Sequence, residues 1–185
     1  MSEAKQHSKL IKEEASRLLE STNIEHLLGQ FGDVSLGGSY AYDLMVDRDL
    51  DFGVLVKSVT PGIRAKIASF FTSQLWVYSF NLVDRVNFEP LSNLGAPMGL
   101  YLGLTIPFPK ERWNIDVWFI VAEGLPDDEI SKAMGRATQK QKDTILEIKY
   151  ELMKCGQKQK GITSSQVYNA VLKRGVRSTQ EFIGL

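Results

Sequence analysis

The chain has 185 residues, of which 43% are hydrophobic and 24% charged, with 22 basic and 22 acidic side chains and a formal net charge of zero. That apolar content fills an ordinary core and excludes a disordered chain, while the charge balance excludes a protein built as a whole to coat nucleic acid. The single cysteine, Cys155, excludes an internal disulfide and a cysteine-based zinc site; it is expected to be a partly buried, inert side chain.

The opening MSEAKQHSKLIKEEA is polar and charged, and no later run is long enough to cross a bilayer, so a soluble, cytoplasmic protein with no membrane partner is expected. From Ser8 to Gly29, apolar residues at Leu10, Ile11, Ala15, Leu18, Leu19, Leu27 and Leu28 predict one amphipathic helix. Val34 to Leu36 is a short strand closing on Gly37 and Gly38, and Ser39 is placed to cap a helix over Tyr40 to Met45. Asp49 to Lys57 reads as a second strand with Leu50, Phe52, Val54 and Val56 on one face. Thr60 and Pro61 start a helix whose buried stripe is Ile63, Ile67, Phe70 and Phe71. Trp76 to Val83, Leu100 to Ile106 and Trp113 to Val121 are the remaining strands, the second preceded by the turn-rich SNLGAPMG. After Gly124 the pattern turns helical, with Asp127 as a cap, a long period to about Cys155, and a last helix from Ser164 or Ser165 to Gly175.

Side chains at i and i+2 of a strand share a face, so Asp49 and Asp51 present two carboxylates side by side, and like charges need a cation between them. A hard divalent ion such as Mg²⁺ takes a few carboxylate oxygens and completes its shell with water and phosphate. The turn at Gly37 and Gly38 has no side chains to block a ligand, its N–H groups open a helix, and Ser39 adds a hydroxyl donor, which together suit a phosphate. Asp116 stands inside the apolar WNIDVWFIV, where a lone charge costs several kcal/mol and demands a partner. Either it forms a structural ion pair with Arg48 or Arg112, or it joins Asp49 and Asp51 around two metal ions, the set that clamps an in-line phosphoryl displacement.

An apolar residue, Gly-Gly-Ser, a spacer, Asp-Leu-Asp-Phe and a later Ile-Asp-Val resemble the signature of the DNA polymerase beta-like nucleotidyltransferase superfamily, and the chain is similar to its small bacterial members, the antibiotic and minimal nucleotidyltransferases. The resemblance spans about Val34 to Ile120 and departs from many members in the Tyr-Ala-Tyr-Asp after Gly-Ser, where a basic residue is common. It implies an α/β (α+β) nucleotidyltransferase fold, a mixed twisted sheet flanked by helices. A catalytic domain over residues 1–125 is followed by a helical segment, 126–185, closing the cleft. It implies Asp49, Asp51 and Asp116 as catalytic metal ligands for two Mg²⁺, with Mn²⁺ as a substitute, and Gly37, Gly38 and Ser39 as the nucleotide-binding turn. The implied reaction moves a nucleoside monophosphate from a nucleoside triphosphate such as ATP to a hydroxyl acceptor, a small molecule, a protein or, less favoured, an RNA end. The alternative is a non-catalytic nucleotide-binding or antitoxin-like module with a protein partner, against which the presence of all three carboxylates weighs.

Other features are weighed as structural. His7 and His26 lie away from the motifs, Trp76, Trp113 and Trp118 fall at strand spacing and read as core, and no P-loop or dinucleotide-binding glycine motif is present. Ser131 to Arg177 holds eleven Lys and Arg against three acids, which reads first as a solvated face. Arg136 and Lys140, one turn apart, are its candidates for contact with a triphosphate or acceptor phosphate.

Overall fold

The computed structural model describes residues 1–87, 98–122, 129–156 and 161–185. The chain divides into two compact units, one holding Glu14–Gly38 and Arg48–Pro126, the other Met1–Glu13, Ser39–Asp47 and Asp127–Leu185.

The first unit is built on a five-stranded sheet in the order β1-β2-β5-β4-β3, from β1 (Asp33–Leu36), β2 (Asp49–Leu55), β3 (Ser79–Asp84), β4 (Leu100–Pro107) and β5 (Arg112–Ile120). β2 and β5 run parallel and the other pairs antiparallel, so the sheet is mixed, as the sequence implied. Strict alternation does the sorting: Leu50, Phe52 and Val54 of β2, Leu102, Leu104 and Ile106 of β4, and Trp113, Ile115, Val117 and Phe119 of β5 are all buried. On β5 that settles Trp113 as core, with its indole N–H enclosed and without a partner among the described residues.

Helix α1 (Glu3–Thr22) and the short α2 (Ile24–Gly29) replace the single helix expected over Ser8 to Gly29. The break is Asn23, held in the left-handed region at φ 51°, a conformation that asparagine tolerates better than most residues. Helix α3 is one turn only (Gly38–Ala41), shorter than expected, because Asp43 also takes a left-handed φ of 61°. α4 (Pro61–Thr72) starts as read: the Thr60 hydroxyl accepts from the Ile63 N–H, with proline at the first helical position.

The second unit is helical: α5 (Glu129–Gly135), α6 (Gln139–Lys154), α7 (Ser164–Arg174) and α8 (Thr179–Ile183). Its core joins Ala4, Leu44 and Val46 to Met134, Ile145, Ile148, Leu152, Val167 and Val171. The long helix expected up to Cys155 is two, because Thr138 forms a reciprocal capping box with Gln141 and starts α6 afresh. The expected cap at Asp127 lies outside the described residues. α8, unforeseen, begins at Ser178, whose hydroxyl accepts from the Glu181 N–H. Cys155 ends α6 and is exposed rather than partly buried, since a helix terminus turns it away from the apolar stripe. Among the described residues, no helix is long and apolar enough to cross a membrane.

In the sheet unit, Asp84 at the end of β3 fastens a turn and a helix at once. Its carboxylate accepts from the N–H groups of Val86 and Asn87 at 3.0 Å each, from the Asn87 amide at 2.8 Å, and from Arg64 of α4 at 3.1 Å. Burial by itself would raise this carboxyl's pKa; the Asn87 and Val86 hydrogen bonds and the Arg64 charge outweigh burial and hold it below the usual value. A depressed folded value means stabilisation that is present above the unfolded value of roughly 3.9 and is lost as pH falls through the folded one. Asp84→Asn is therefore expected to cost about 1–2 kcal/mol at neutral pH. In urea titrations the gap to the wild type should narrow at about pH 3; an unchanged gap would contradict the charge-based account.

Candidate active site

Sheet register brings the acids together. In the parallel pair, Asp49 stands opposite Asn114, Asp51 opposite Asp116 and Gly53 opposite Trp118. Each of these residues alternates with the buried apolar set, so Asp49, Asp51 and Asp116 share the other face and are half-buried there. One carboxylate oxygen from each of the three lies within 4.8 Å of the others, which is the spacing of a shared cation site. The same face continues across β4 and β3 into a groove of about 400 Å³ that includes Asp49, Asp116, Asn114, Thr105, Asn81 and Tyr101 in its lining.

The glycine turn is pressed against one of these acids. The Gly37 N–H donates to the Asp51 carbonyl at 2.8 Å, and Gly38 follows in the left-handed region at φ 59°. A Cβ at Gly38 would stand 1.8 Å from Asp51 Oδ2 and 2.7 Å from its Cγ, so any side chain here would be strained and would displace that carboxylate. The five residues Gly37, Gly38, Asp49, Asp51 and Asp116 thus belong to the sheet unit, while Ser39 belongs to the helical one. There the Ser39 hydroxyl accepts from Lys149 Nζ at 2.7 Å and lies 3.1 Å from the Tyr168 hydroxyl. Lys149 is fully buried and also donates to the Leu44 carbonyl at 2.7 Å.

The ion pairs considered for Asp116 do not form. Arg48 makes a two-pronged contact with Glu14 at 2.8 and 3.2 Å, and Arg112 lies over the Tyr78 ring. Asp116 instead accepts a hydrogen bond from the Tyr101 hydroxyl at 2.7 Å. Burial first, then that hydrogen bond and the charges of Asp116 and Asp49, push the Tyr101 phenol well above its ordinary range, so it stays protonated and donates.

Two partnered residues escaped the sequence reading, Tyr101 beside the acids and, in the helical unit, Lys149 beside Ser39. Tyr101 sits at the same strand parity as Gly103 and Thr105, but nothing local says that β4 borders β5. Lys149 was one basic residue among eleven; its signal was position, since Ile145, Ile148, Lys149 and Leu152 share one helical stripe. Arg136 and Lys140 do not lie one turn apart on a single helix. Arg136 falls between α5 and α6, and both side chains are exposed.

No family profile matches the chain, and no curated protein does. Among solved structures it is similar to the polymerase core of TRAMP, an RNA surveillance complex, with a TM-score of 0.52 and 14% identity over 90% of this chain and 47% of that one. It is also similar to the Cid1 poly(U) polymerase determined with Mg and 3′-dATP, with a TM-score of 0.50 and 12% identity over 78% of this chain and 42% of that one. The chain therefore spans less than half the length of either. The likeness is one of fold: a mixed sheet flanked by helices, as in these two polymerases, and so the nucleotidyltransferase fold that the motifs implied.

Gly38→Ala tests the turn. A left-handed alanine costs about 1–2 kcal/mol, and its methyl group displaces the Asp51 carboxylate. Expected are a lower urea midpoint and a loss of Mn²⁺-induced stabilisation in thermal melts; an unaltered Mn²⁺ response would show that the turn and the carboxylate are not coupled.

Proposed function

We propose that the chain is a metal-dependent nucleotidyltransferase, moving a nucleoside monophosphate from a triphosphate such as ATP to a hydroxyl acceptor and releasing pyrophosphate. The observation that carries this reading is the convergence of Asp49, Asp51 and Asp116, one oxygen from each within 4.8 Å, on a fold of that class.

The three carboxylates suit hard divalent ions. The donor set is all carboxylate oxygen, and the neighbouring position in the turn is a glycine whose Cβ would occupy the space of the Asp51 carboxylate. Asp49 and Asp51 would hold both ions and Asp116 would share the second. When bound, Mg²⁺ neutralises charge on the triphosphate and makes the acceptor hydroxyl easier to deprotonate. Gly37 and Gly38 leave the backbone open to a phosphate. Ser39, next in the chain, would add a hydroxyl donor to that turn. Asn114, Thr105 and Asn81 offer neutral hydrogen-bonding groups along the groove that would receive the acceptor. In the reaction the acceptor oxygen forms a bond to the α-phosphorus, the bond from that phosphorus to the bridging oxygen breaks, and the hydroxyl proton passes to solvent.

Incubation with α-labelled nucleoside triphosphates and Mg²⁺ or Mn²⁺, against panels of small molecules, proteins and RNA ends, is the direct test. Labelled acceptor is expected with the wild type and a loss of at least about a hundredfold with Asp51→Asn or Asp116→Asn. Asp51→Asn should also leave the metal-free melting temperature unchanged or raised, because it relieves repulsion between like charges. Marked unfolding of that variant, with no effect of Mg²⁺ and nucleotide on wild-type melting, would make the acids structural and end the metal-site reading.

A further inference from the structure

The third carboxylate has a built support. Asp116 stands opposite Gly103 on β4, and Tyr101, two residues earlier, stands opposite Trp118. For the Tyr101 hydroxyl to reach Asp116 the phenol must cross the position of Gly103, and it does: a Cβ there would lie 2.6 Å from the hydroxyl oxygen and 3.1 Å from the ring carbon bearing it. Glycine at that place is therefore the condition for the 2.7 Å hydrogen bond. The ring is held on another side by Trp118, with centroids 5.0 Å apart and a tilt of 48°. Trp118 in turn lies under the Arg85 guanidinium at 5.4 Å, whose buried Nε and Nη1 have no hydrogen-bond partner among the described residues. Arg85, Trp118 and Tyr101 thus form a chain of contacts ending on one oxygen of Asp116.

We infer that Tyr101 is a positioning residue for the metal site, fixing Asp116 so that it offers its second oxygen to the ions beside Asp49 and Asp51. This rests on the metal-dependent reading above. Without a tether, a carboxylate opposite Asp51 would swing away from its like-charged neighbours, and each metal-binding event would first have to gather it. The phenol occupies one oxygen with a neutral donor and leaves the other, so Asp116 enters the site as a single-oxygen ligand. Hydrogen-bonded supports of this kind typically change metal affinity or activity by about ten- to a hundredfold when removed.

Tyr101→Phe removes the hydroxyl and keeps the ring, its contact with Trp118 and its place over Gly103. Mn²⁺ binding to the metal-free protein, followed by electron paramagnetic resonance titration, needs no acceptor and no turnover. Expected is weakening of Mn²⁺ binding by about tenfold or more in the class of sites that Asp116→Asn also removes, with the sites that survive Asp116→Asn unchanged. Mg²⁺ should also perturb the near-ultraviolet tyrosine band of the wild type, and the perturbation should vanish in Tyr101→Phe. If that variant does not fold, the wild-type difference spectrum alone decides: no tyrosine perturbation by Mg²⁺ overturns the role of Tyr101. Identical Mn²⁺ titrations for the wild type and Tyr101→Phe overturn it as well, while leaving the metal reading in place. A wild type that binds no Mn²⁺ overturns both.

Discussion

The pairing of Asp51 with Asp116 across the parallel strands β2 and β5 is the constraint on which the site depends. Carboxylates on directly opposed positions of neighbouring strands repel one another. A sheet left to its own charges would avoid that register. It is imposed from the opposite face, where Leu50, Phe52 and Val54 meet the core together with Ile115, Val117 and Phe119. Each such side chain is worth about 1.5–3 kcal/mol when buried, and a slip of one residue would turn all of them toward water. Core packing thus outweighs the repulsion and holds the acids where a cation can use them.

Absent side chains do as much as present ones around this face. Gly38 lets the turn after β1 reach the Asp51 carboxylate, and Gly103 lets the Tyr101 ring lie across to Asp116. In both cases a Cβ would stand closer than van der Waals contact to the side chain beside it, so these side chains keep their present positions only against glycine, and at Gly38 φ favours glycine as well. The Gly-Gly-Ser motif therefore has two physical jobs. Gly37 and Gly38 set a close contact in the sheet unit, whereas Ser39 takes its hydrogen bonds in the helical unit, from Lys149 and with Tyr168.

The strands were legible in the sequence because alternation is a strong local signal, and β2, β4 and β5 lie within two residues of where it placed them. The paired acids were legible for the same reason, since Asp49 and Asp51 must share a face of any strand. What local pattern does not carry is which strands are neighbours. Asp116 was visible as an acid needing a partner, but Tyr101 becomes that partner only through the order β2-β5-β4. Helix breaks failed differently. Apolar spacing runs on through Asn23 and through Arg136 to Thr138, and the stops there are a left-handed backbone and a capping box, each decided by one or two polar residues. Thr138 and Gln141 did carry the capping signature in the sequence; the continuing apolar period masked it.

Identities of 12% and 14% with the two polymerases separate fold from chemistry in this chain. A sheet of this kind needs only an apolar side chain of suitable volume at each inward position, and many sequences satisfy that. The outward face is less permissive: Asp49, Asp51 and Asp116 bring three carboxylates within 4.8 Å of one another, and Gly38 and Gly103 leave room for the side chains beside them. Lys149 follows the same logic in the helical unit, because an ammonium buried in an apolar stripe costs several kcal/mol unless it is well partnered. It is held by the Leu44 carbonyl and the Ser39 hydroxyl, and it lies over the Tyr168 ring at 5.4 Å. Replacing it by leucine or methionine would leave the Leu44 carbonyl and the Ser39 hydroxyl without this donor, so the charge and its polar partners are a single structural unit.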